Sequence, residues 1–531
     1  MSETIRDTYR SEPEPRGAPP RGHGADDSID IASRSDVHKL KPHAVGLIGV
    51  LFMALAGSAP LTAMLGNVPI AVASGNGVAA PGGFIFAAAA FVLFAVGYVA
   101  MVRRYTAAGG FYAFISHGLG RVAGMAAGWA GMAAYAVFEA SLIGIFAYYF
   151  RNTIQSYTGL VVPWPVLAVF GIALIGVLAY LDIRVSAKVL GVATGLEMLL
   201  LLVMDLFVTA KGGGPSGLPL SPLSPIHAFQ GLGIAKAAPG VGIFFALWSW
   251  IGFEAAANYA EESREPRRNI PRATYIAVLG LGVLYTWSAY SAIVGHGLAE
   301  APKAAASNPV TFFYTVTTRF VGKPATDLME ILIVSSTFAC AMAFHNAATR
   351  YFYSMGREKV LHHRLGRTHH TWQSPHVASV FQSLLAALLV GGMIVLWYAS
   401  RAAQNFANFQ NLPYFEIYGW FAILGTFWIL LLMMGSSIAT AVNYFTHVRE
   451  HSAREFTRLV VAPSLAALAF LWAIYLLWTN LATLGGSIVF VNAIPWVGVA
   501  WVVIGAVGAL WLRGRDRARY EAIGRMVHQG L

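Results

Sequence analysis

Twelve stretches of about 20 mostly apolar residues constrain the fold of this chain more than any other feature. They cover residues 43–73, 82–101, 122–150, 164–181, 185–209, 238–260, 271–296, 325–349, 376–399, 415–446, 458–478 and 488–512. About 20 such residues cross the hydrocarbon core of a bilayer as a helix. Of the whole chain, 57% is hydrophobic and only 11% is charged, whereas soluble domains carry about 25% charged residues. The sequence therefore predicts a membrane protein and excludes a water-soluble one.

The length and continuity of these stretches favour helices over strands. Lipid offers no hydrogen-bond partners, so a spanning segment must pair its own backbone groups, as a helix does. The strands of a membrane barrel would alternate apolar and polar residues, and these segments do not. We predict an all-α membrane protein with twelve transmembrane helices, called spans 1 to 12 in chain order.

The distribution of positive charge predicts the orientation. If the N-terminus is cytoplasmic, all but seven of the 36 Lys and Arg residues lie in cytoplasmic segments. The seven others are Arg151, Lys211, Lys236, Lys303, Arg319, Lys323 and Arg401. This asymmetry follows the positive-inside rule. We expect both termini in the cytoplasm, a plasma-membrane location (the inner membrane in a bacterium) and lipid as a partner. The net charge of +11 then orients the chain and does not indicate nucleic-acid binding.

The segments outside the spans are short. Residues 1–42 are rich in Pro, Arg, Ser, Asp and Gly and lack the apolar core of a signal peptide, which is typical of a disordered cytoplasmic tail. Residues 513–531 form a second predicted cytoplasmic tail. The single cysteine, Cys340, excludes an internal disulfide.

Two spans contain residues that interrupt helices. Span 1 reads ALAGSAPLTAMLGNVPI, with Gly57, Ser58 and Pro60 in mid-membrane, and span 6 carries Ser249 and Gly252 among tryptophans. Proline lacks a backbone donor and clashes with the preceding turn, while glycine lets the backbone leave helical geometry. Interrupted helices at corresponding places in two halves indicate the central site of a secondary transporter. The alternative is two ordinary kinks, because Gly and Pro are frequent in membrane helices.

The five-span spacing between these interruptions predicts an inverted repeat. Because each half has an odd number of spans, the halves have opposite orientations in the membrane. We expect a first repeat over residues 43–210 (spans 1–5) and a second over 238–447 (spans 6–10). Two extra helices follow within 458–512.

Three ordered motifs resemble the amino acid–polyamine–organocation superfamily. They are AAGGFYAFISHGLGRVAGMAAGWAGMAAY (Ala107–Tyr135) after span 2, SWIGFEAAANYAEESREPRRNIPRA (Ser249–Ala273) in span 6 and HNAATRYFYSMGREKVL (His345–Leu361) at the exit of span 8. With the twelve-span layout, the resemblance covers roughly residues 40–512. It departs at Leu361-His362, where that family usually has Leu-Pro, and at Ala56–Ala59, where a glycine-containing triplet is typical.

The resemblance implies a LeuT-type permease whose substrate lies at the two interrupted helices. Unpaired N–H groups at a half-helix start attract anions, and unpaired carbonyls at a half-helix end attract cations. The residues implied are Gly57, Ser58 and Ala59 for the substrate carboxylate, and Trp248, Ser249, Trp250, Ile251 and Gly252 for the α-ammonium and side chain. Either tryptophan can face the substrate or serve only in packing.

Four acids are candidates for mid-membrane positions: Glu139, Glu197, Asp205 and Glu254. Each costs at least ~2.5–3.5 kcal/mol in mid-membrane, so it normally faces a cavity or a partner. No Lys or Arg lies in the middle of a span, and a desolvated carboxyl without a cationic partner favours its protonated form. We expect Glu139 to contact a distal amine of the substrate, and Asp205, near the outer end of span 5, to be solvated.

Two alternatives remain for the identity of the coupling ion. In proton-coupled relatives the place of Glu197 holds a titratable side chain, and sodium-coupled relatives bind their ion there. Glu197 is therefore the first candidate for proton coupling, and Glu254 is a second that can also brace the broken helix. Sodium is the alternative, with hydroxyl ligands from Ser336 and Thr337, although such hydroxyls often bond back to their own helix.

Other protein classes have less support. A channel would carry a repeated filter, a sensor would append a sizeable soluble domain, and no catalytic, phosphate-binding or metal-binding motif stands out. We predict no enzyme, cofactor or metal, but a proton-coupled amino acid importer. The alternatives are a transporter of polyamines or other organic amines, and sodium-coupled or exchange transport on the same fold.

Overall fold

The computed structural model of the protein describes residues 43–105, 110–181, 183–234, 237–400, 408–447, 452–481 and 489–524. The predicted N-terminal tail and the end of the C-terminal one lie outside the described residues. Within these ranges all regular secondary structure is helical. The predicted all-α class is therefore confirmed.

Eleven helices in the described ranges are long and apolar enough to cross a membrane. They are Leu47–Gly75, Ala80–Arg104, Arg121–Thr158, Gly191–Ala210, Pro239–Tyr259, Pro266–His296, Lys323–Arg357, His376–Ala399, Pro413–Thr446, Ala453–Thr479 and Val491–Arg515. They match spans 1–3 and 5–12. At span 4 the helix Trp164–Tyr180 has 17 residues, or about 25 Å at 1.5 Å per residue. The count of twelve therefore stays a prediction.

Shorter helices connect the spans. They are Gly110–Leu119, Pro225–Gln230, Ala301–Ser307 and Phe312–Phe320, and a further short helix, Arg517–Ala522, follows span 12. Two of them, Ala301–Ser307 and Phe312–Phe320, lie between spans 7 and 8, where the sequence analysis predicts no helix. Span 3 also continues to Thr158, eight residues beyond its predicted end.

Span 1 is broken at a single residue. Span 1a (Leu47–Ser58) and span 1b (Pro60–Ile70) are separated by Ala59, whose φ of 40° and ψ of 74° are left-handed. The sequence predicts an interruption at Gly57, Ser58 and Pro60; the structure places the break at Ala59, directly before Pro60, while Gly57 and Ser58 stay helical. The physical reason is Pro60: its ring disfavours helical geometry in the residue before it and lacks an N–H, whereas it fits the first position of a new helix.

Span 6 is broken over a longer segment. Span 6a (Pro239–Trp248) ends in a turn, and span 6b (Phe253–Tyr259) is a 3₁₀ helix. Gly252, between them, has φ 123° and ψ −31°, a conformation that L side chains rarely adopt. The predicted interruption at Gly252 is confirmed.

The broken helices lie at the centre of the bundle. The apolar stretch of span 6 is 100% buried and that of span 3 is 94% buried, against 28% for spans 9 and 12. Spans 9, 11 and 12 instead expose large apolar side chains such as Leu388, Leu468 and Val507. Such surfaces suit lipid, while the central helices can hold a solute.

Candidate substrate site

The two breaks touch through their backbones. A Cβ atom on Gly57 would lie 3.0 Å from the carbonyl oxygen of Gly252, and one on Gly252 would lie 2.2 Å from the carbonyl carbon of Gly57. Ser58 adds a side-chain link, because its Oγ donates to the carbonyl of Trp250 at 3.0 Å. The absence of a side chain at Gly57 therefore allows the two helices to approach closely. At Gly252 it allows both the close approach and the unusual backbone angles.

A small cavity lies beside these contacts. It is lined by Gly57, Ser58, Ala59, Thr62, Ala63, Asn67, Phe138, Leu142, Trp248, Ser249, Ile251, Cys340, Phe344 and Tyr418. Its free space of about 30 Å³ is enough for a water molecule and too small for an amino acid. The structure thus places most of the predicted substrate-binding residues around one closed central cavity.

On the span 1 side, several polar groups around the break already have partners. The Ala59 N–H donates to the Leu55 carbonyl at 2.9 Å. Cys340 Sγ lies 3.1 Å from the Gly57 carbonyl oxygen, and the Tyr285 hydroxyl donates to the Ser58 carbonyl at 3.0 Å. The start of the new helix is also engaged, because the Thr62 N–H donates to Ser336 Oγ at 3.3 Å.

On the span 6 side, Ser249 anchors the broken end. Its Oγ donates to the Phe245 carbonyl at 2.8 Å and accepts from Asn67 Nδ2 at 2.9 Å. Tyr418 donates to the other amide atom of Asn67 at 3.2 Å. Within the described chain, the carbonyls of Ser249 and Ile251 accept none of the backbone hydrogen bonds that close this turn. Two carbonyls therefore remain available beside the cavity.

The structure distinguishes the two tryptophans. Trp248 lines the cavity, with its ring 5.0 Å from that of Tyr418. Trp250 is 0% exposed, stacks on Phe91 at 5.7 Å and meets Tyr285 edge-on at 5.1 Å. Trp248 is thus the tryptophan that can cover a substrate, and Trp250 packs span 6 against spans 2 and 7.

Glu254 is bonded to its own broken helix. Its Oε2 accepts the Gly252 N–H at 2.8 Å, and its Oε1 accepts the Tyr135 hydroxyl at 3.1 Å. Tyr98 donates to the Glu254 carbonyl. The carboxyl therefore satisfies an amide left unpaired by the left-handed turn and ties span 6b to span 3.

Glu197 and Ser336 come together at the start of span 1b. Ser336 Oγ donates to Glu197 Oε2 at 2.7 Å and lies 2.8 Å from Thr62 Oγ1. The Leu61 amide faces the same carboxyl. Among the described residues, no donor lies within hydrogen-bonding distance of Glu197 Oε1, although the residue is 1% exposed. The predicted coupling residue thus contacts spans 1b and 8 at once.

Thr337 does not join this cluster. Its hydroxyl bonds back to the Ile333 carbonyl at 2.9 Å and lies 3.0 Å from that of Val334. Of the two predicted hydroxyl ligands, the structure brings only Ser336 to Glu197.

Glu139 lies outside the cavity lining, contrary to the expected contact with a substrate amine. Its Oε2 lies 2.9 Å from His345 Nδ1 and 2.6 Å from Gln382 Nε2. Its neighbour Phe138 faces the cavity instead. A helix turns by 100° per residue, so adjacent side chains point in different directions.

Asp205 corrects another expectation. It is 0% exposed rather than solvated, and Ser288 donates to its Oδ2 at 2.6 Å. The short helix Phe312–Phe320 and the end of span 7 cover this end of span 5. That loop helix was not predicted, which is why Asp205 was expected to be exposed.

The cavity contains residues that the sequence analysis missed. They are Thr62, Ala63, Asn67, Phe138, Leu142, Cys340, Phe344 and Tyr418. Asn67 could have been predicted from the sequence, because an amide side chain within an apolar span normally faces a cavity or a polar partner. The apolar and aromatic residues could not have been predicted, since such side chains are as common in helix packing as in cavity walls.

A buried ion pair closes the face of the bundle at which span 1 begins. Arg350 of span 8 holds Glu262 through two hydrogen bonds of 2.8 and 2.9 Å, and its guanidinium lies 4.4 Å from the Tyr259 ring centre. The Val45 N–H donates to the Glu262 carbonyl at 3.0 Å. Spans 1, 6 and 8 are therefore locked together on this face.

Comparison with known families identifies the protein's class. The family model described as "Amino acid permease" matches residues 45–513. The chain belongs to this amino acid permease family. The match includes every residue of the central cavity and confirms the resemblance found in the three motifs.

Curated relatives agree with this assignment. The low-affinity putrescine importer PlaP of Escherichia coli (strain K12) is 23% identical over 390 residues, which cover 72% of this chain and 80% of the relative. The branched-chain amino acid permease BcaP of Bacillus subtilis (strain 168) is 24% identical over 349 residues, or 62% of this chain and 71% of the relative. This permease is therefore an integral membrane transporter of amino acids or polyamines.

Proposed function

We propose that this permease imports an amino acid together with a proton. The observation that carries the proposal is the contact of the Glu197 carboxyl with Ser336 and with the amide of Leu61, the first amide of span 1b. A charged carboxylate is attracted to the positive end of a helix, and a protonated one much less so. Loading or releasing one proton therefore changes how strongly spans 5 and 8 hold the broken helix.

The substrate lies between the two breaks in this proposal. The carbonyls of Ser249 and Ile251 attract its α-ammonium, and Gly57, Ser58 and Ala59 border the start of span 1b, where the helix favours its carboxylate. Trp248 covers its side chain. Because the free space is about 30 Å³, spans 1 and 6 must separate from the surrounding helices for the substrate to enter.

The proposed orientation places the Arg350–Glu262 ion pair in the cytoplasmic half. All but seven of the 36 Lys and Arg residues then face the cytoplasm, together with both termini. We infer a plasma-membrane location and an inverted repeat of residues 43–210 and 238–447. Rocking of the broken helices against the other spans would alternate access.

Two alternatives have specific support. The resemblance to a putrescine importer supports a polyamine substrate, which carries amines and lacks the carboxylate. The Ser336 hydroxyl beside Glu197 supports sodium as the coupling ion, although Thr337 uses its hydroxyl within its own helix.

A ligand screen followed by transport tests the proposal. Purified protein is heated with single amino acids and with diamines, and a bound substrate raises the melting temperature by mass action. The compounds that stabilise are then tested for uptake into proteoliposomes under a pH gradient or a sodium gradient. Amino acid uptake that follows the pH gradient supports the proposal, and a strict sodium requirement contradicts it.

A matched pair of tryptophan variants tests the site. Trp248→Ala removes the ring that lines the cavity and should weaken substrate binding at least tenfold. Trp250→Ala removes a packing ring and should lower the melting temperature without a comparable loss of affinity in the folded fraction. Equal affinity of Trp248→Ala and the wild-type protein would place the substrate elsewhere.

A further inference from the structure

A second group of buried polar side chains lies behind the cavity. Glu139 of span 3, His345 of span 8, and Ser379 and Gln382 of span 9 form a connected cluster. His345 Nδ1 lies 2.9 Å from Glu139 Oε2, and its Nε2 lies 2.9 Å from Ser379 Oγ. All four side chains are at most 1% exposed.

The cluster has unused hydrogen-bonding capacity. Within the described residues, Glu139 Oε1 and Gln382 Oε1 are buried acceptors without a partner. A buried acceptor without a donor is costly. One added proton would change this arrangement, because a neutral imidazole and a carboxylate together carry a net charge of −1, which burial disfavours.

The chemistry of His345 and Ser379 allows two states that differ by one proton. In the first, neutral His345 donates from Nδ1 to Glu139 and accepts the Ser379 hydroxyl at Nε2. In the second, a proton from water binds Nε2, the imidazolium donates to Ser379 Oγ, and the serine hydroxyl reverses direction. Both states keep both contacts, since a hydroxyl donates and accepts equally well.

The cluster is directly joined to the cavity wall. Phe138 and Phe344 precede Glu139 and His345 in sequence, both line the cavity, and their rings stack at 4.8 Å. A change in charge between Glu139 and His345 therefore acts on the same two helix turns that carry the aromatic wall. Any displacement of span 8 against span 3 would change the space for substrate.

Other titratable groups on the packed elements do not bond to the Glu139 carboxyl in the described chain. They include His376 in span 9, Tyr180 in span 4, Tyr135 in span 3, Cys340, Arg350 and Tyr351 in span 8, and Tyr418 in span 10. Tyr135 is bound to Glu254, Arg350 to Glu262 and Tyr418 to Asn67. His376 lies one helical turn before Ser379 and packs on Tyr180.

We propose that Glu139 and His345 form a proton-binding site, distinct from Glu197, that sets substrate affinity through the Phe138–Phe344 wall. This inference rests on the proposed function in one respect, namely that the central cavity holds the substrate. In this proposal the two side chains take up the proton as the cavity closes around the substrate. Opening to water allows the proton to leave.

Equilibrium substrate binding measured without any gradient tests this site. The substrate found in the ligand screen is titrated into the wild-type protein from pH 5.5 to 8.5, and proton uptake on binding is followed with an indicator dye in weak buffer. Linkage to one proton weakens affinity by up to about tenfold per pH unit above the transition. Glu139→Gln and His345→Gln should each remove the one-proton share of the pH dependence and of the proton uptake that this site contributes, and Glu197→Gln should leave that share in place.

Two further variants separate the site from a purely structural role. The double variant Glu139→Gln with Gln382→Glu moves the carboxyl to span 9, onto the side chain that contacts Glu139, and should restore part of the pH dependence. Asp205→Asn replaces a buried acid that bonds serines away from the cavity and should leave the dependence unchanged. A structural pair would give lower affinity or stability at every pH with the same slope.

The outcomes distinguish this inference from the proposed function. If Glu139→Gln and His345→Gln fold and keep the wild-type pH slope and proton uptake, the proton site is excluded while the cavity stands. If Trp248→Ala leaves substrate affinity unchanged, the assignment of the central cavity as the substrate site is wrong, and the inference that rests on it is wrong as well. If both single variants fail to fold, the double variant decides: an affinity that does not change with pH once Glu197→Gln is added to it contradicts the inference.

Discussion

The two helix breaks use the same chemistry in different ways. At each break a buried carboxyl lies beside backbone amides that the broken helix leaves unpaired. At span 6 the carboxyl belongs to Glu254, which accepts a hydrogen bond from the backbone N–H of Gly252, two residues earlier in the chain. At span 1 it is Glu197, which comes from span 5, while Ser336 comes from span 8.

Because of this difference, we expect the Glu254 contact to be a permanent structural support and the Glu197 contact to form and break during transport. Glu254 moves with span 6b, so its bond to Gly252 persists when the helix moves as a unit. Glu197 belongs to another helix, so its contact with span 1b is broken whenever span 1 moves against spans 5 and 8. A proton on Glu197 can therefore bias transport, whereas Glu254 mainly keeps the unwound segment in shape.

The largest effect is expected where the breaks touch. Gly252→Val places a branched side chain at a φ of 123° and puts Cβ 2.2 Å from the Gly57 carbonyl carbon. Proteoliposome uptake should fall to background. The matched control is Gly280→Val in span 7, where an added Cβ meets no atom within 4 Å, and it should transport normally. Normal transport by Gly252→Val would move the substrate site away from the breaks.

Glu197→Gln should have the next largest effect. Glutamine keeps the shape and can accept from Ser336, but it cannot bind and release a proton. Accumulation driven by a pH gradient should be lost, while exchange of internal for external substrate continues. Wild-type uptake should also weaken as the external pH rises, because fewer carboxyls load a proton.

The control for this prediction is Asp205→Asn, a buried acid in the same helix that should retain accumulation. Concentration of substrate by Glu197→Gln in response to a pH gradient would contradict proton coupling at this residue. A strict sodium requirement, lost in Ser336→Ala, would instead assign the ion to the Ser336 hydroxyl.

Glu254→Gln should have a smaller effect, which sharpens the contrast between the two carboxyls. The glutamine oxygen can accept the Gly252 N–H, and its amide group can donate to the Tyr135 hydroxyl. Uptake should stay within about tenfold of the wild-type rate, since even the net loss of one such bond costs only about 0.5–1.5 kcal/mol. Glu254→Ala leaves both partners unsatisfied and should transport far less. If Glu254→Gln binds substrate but cannot accumulate it, Glu254 is itself a coupling group.

The sequence predicted what depends on local patterns. Span positions follow from apolar length, and the breaks follow from Pro60 and Gly252. Partners remote in sequence were not predictable: Glu197 and Ser336 are 139 residues apart, and Glu139 and His345 are 206 apart. Helical periodicity also gave no guide within the unwound turn, so only the structure could tell Trp248 from its neighbour Trp250.

The smallest effect is expected at Ala59, the break in span 1. Its left-handed backbone costs an alanine about 1–2 kcal/mol, while glycine there loses about 0.5–1 kcal/mol more conformational freedom on folding. Ala59→Gly should therefore shift the melting temperature only slightly and leave substrate affinity within about twofold. Ala59→Val carries a branched side chain at the same φ of 40° and should destabilise the protein clearly. Loss of transport by a folded Ala59→Gly variant would mean that the methyl group of Ala59, and not only Pro60, holds the break in the conformation that transport requires.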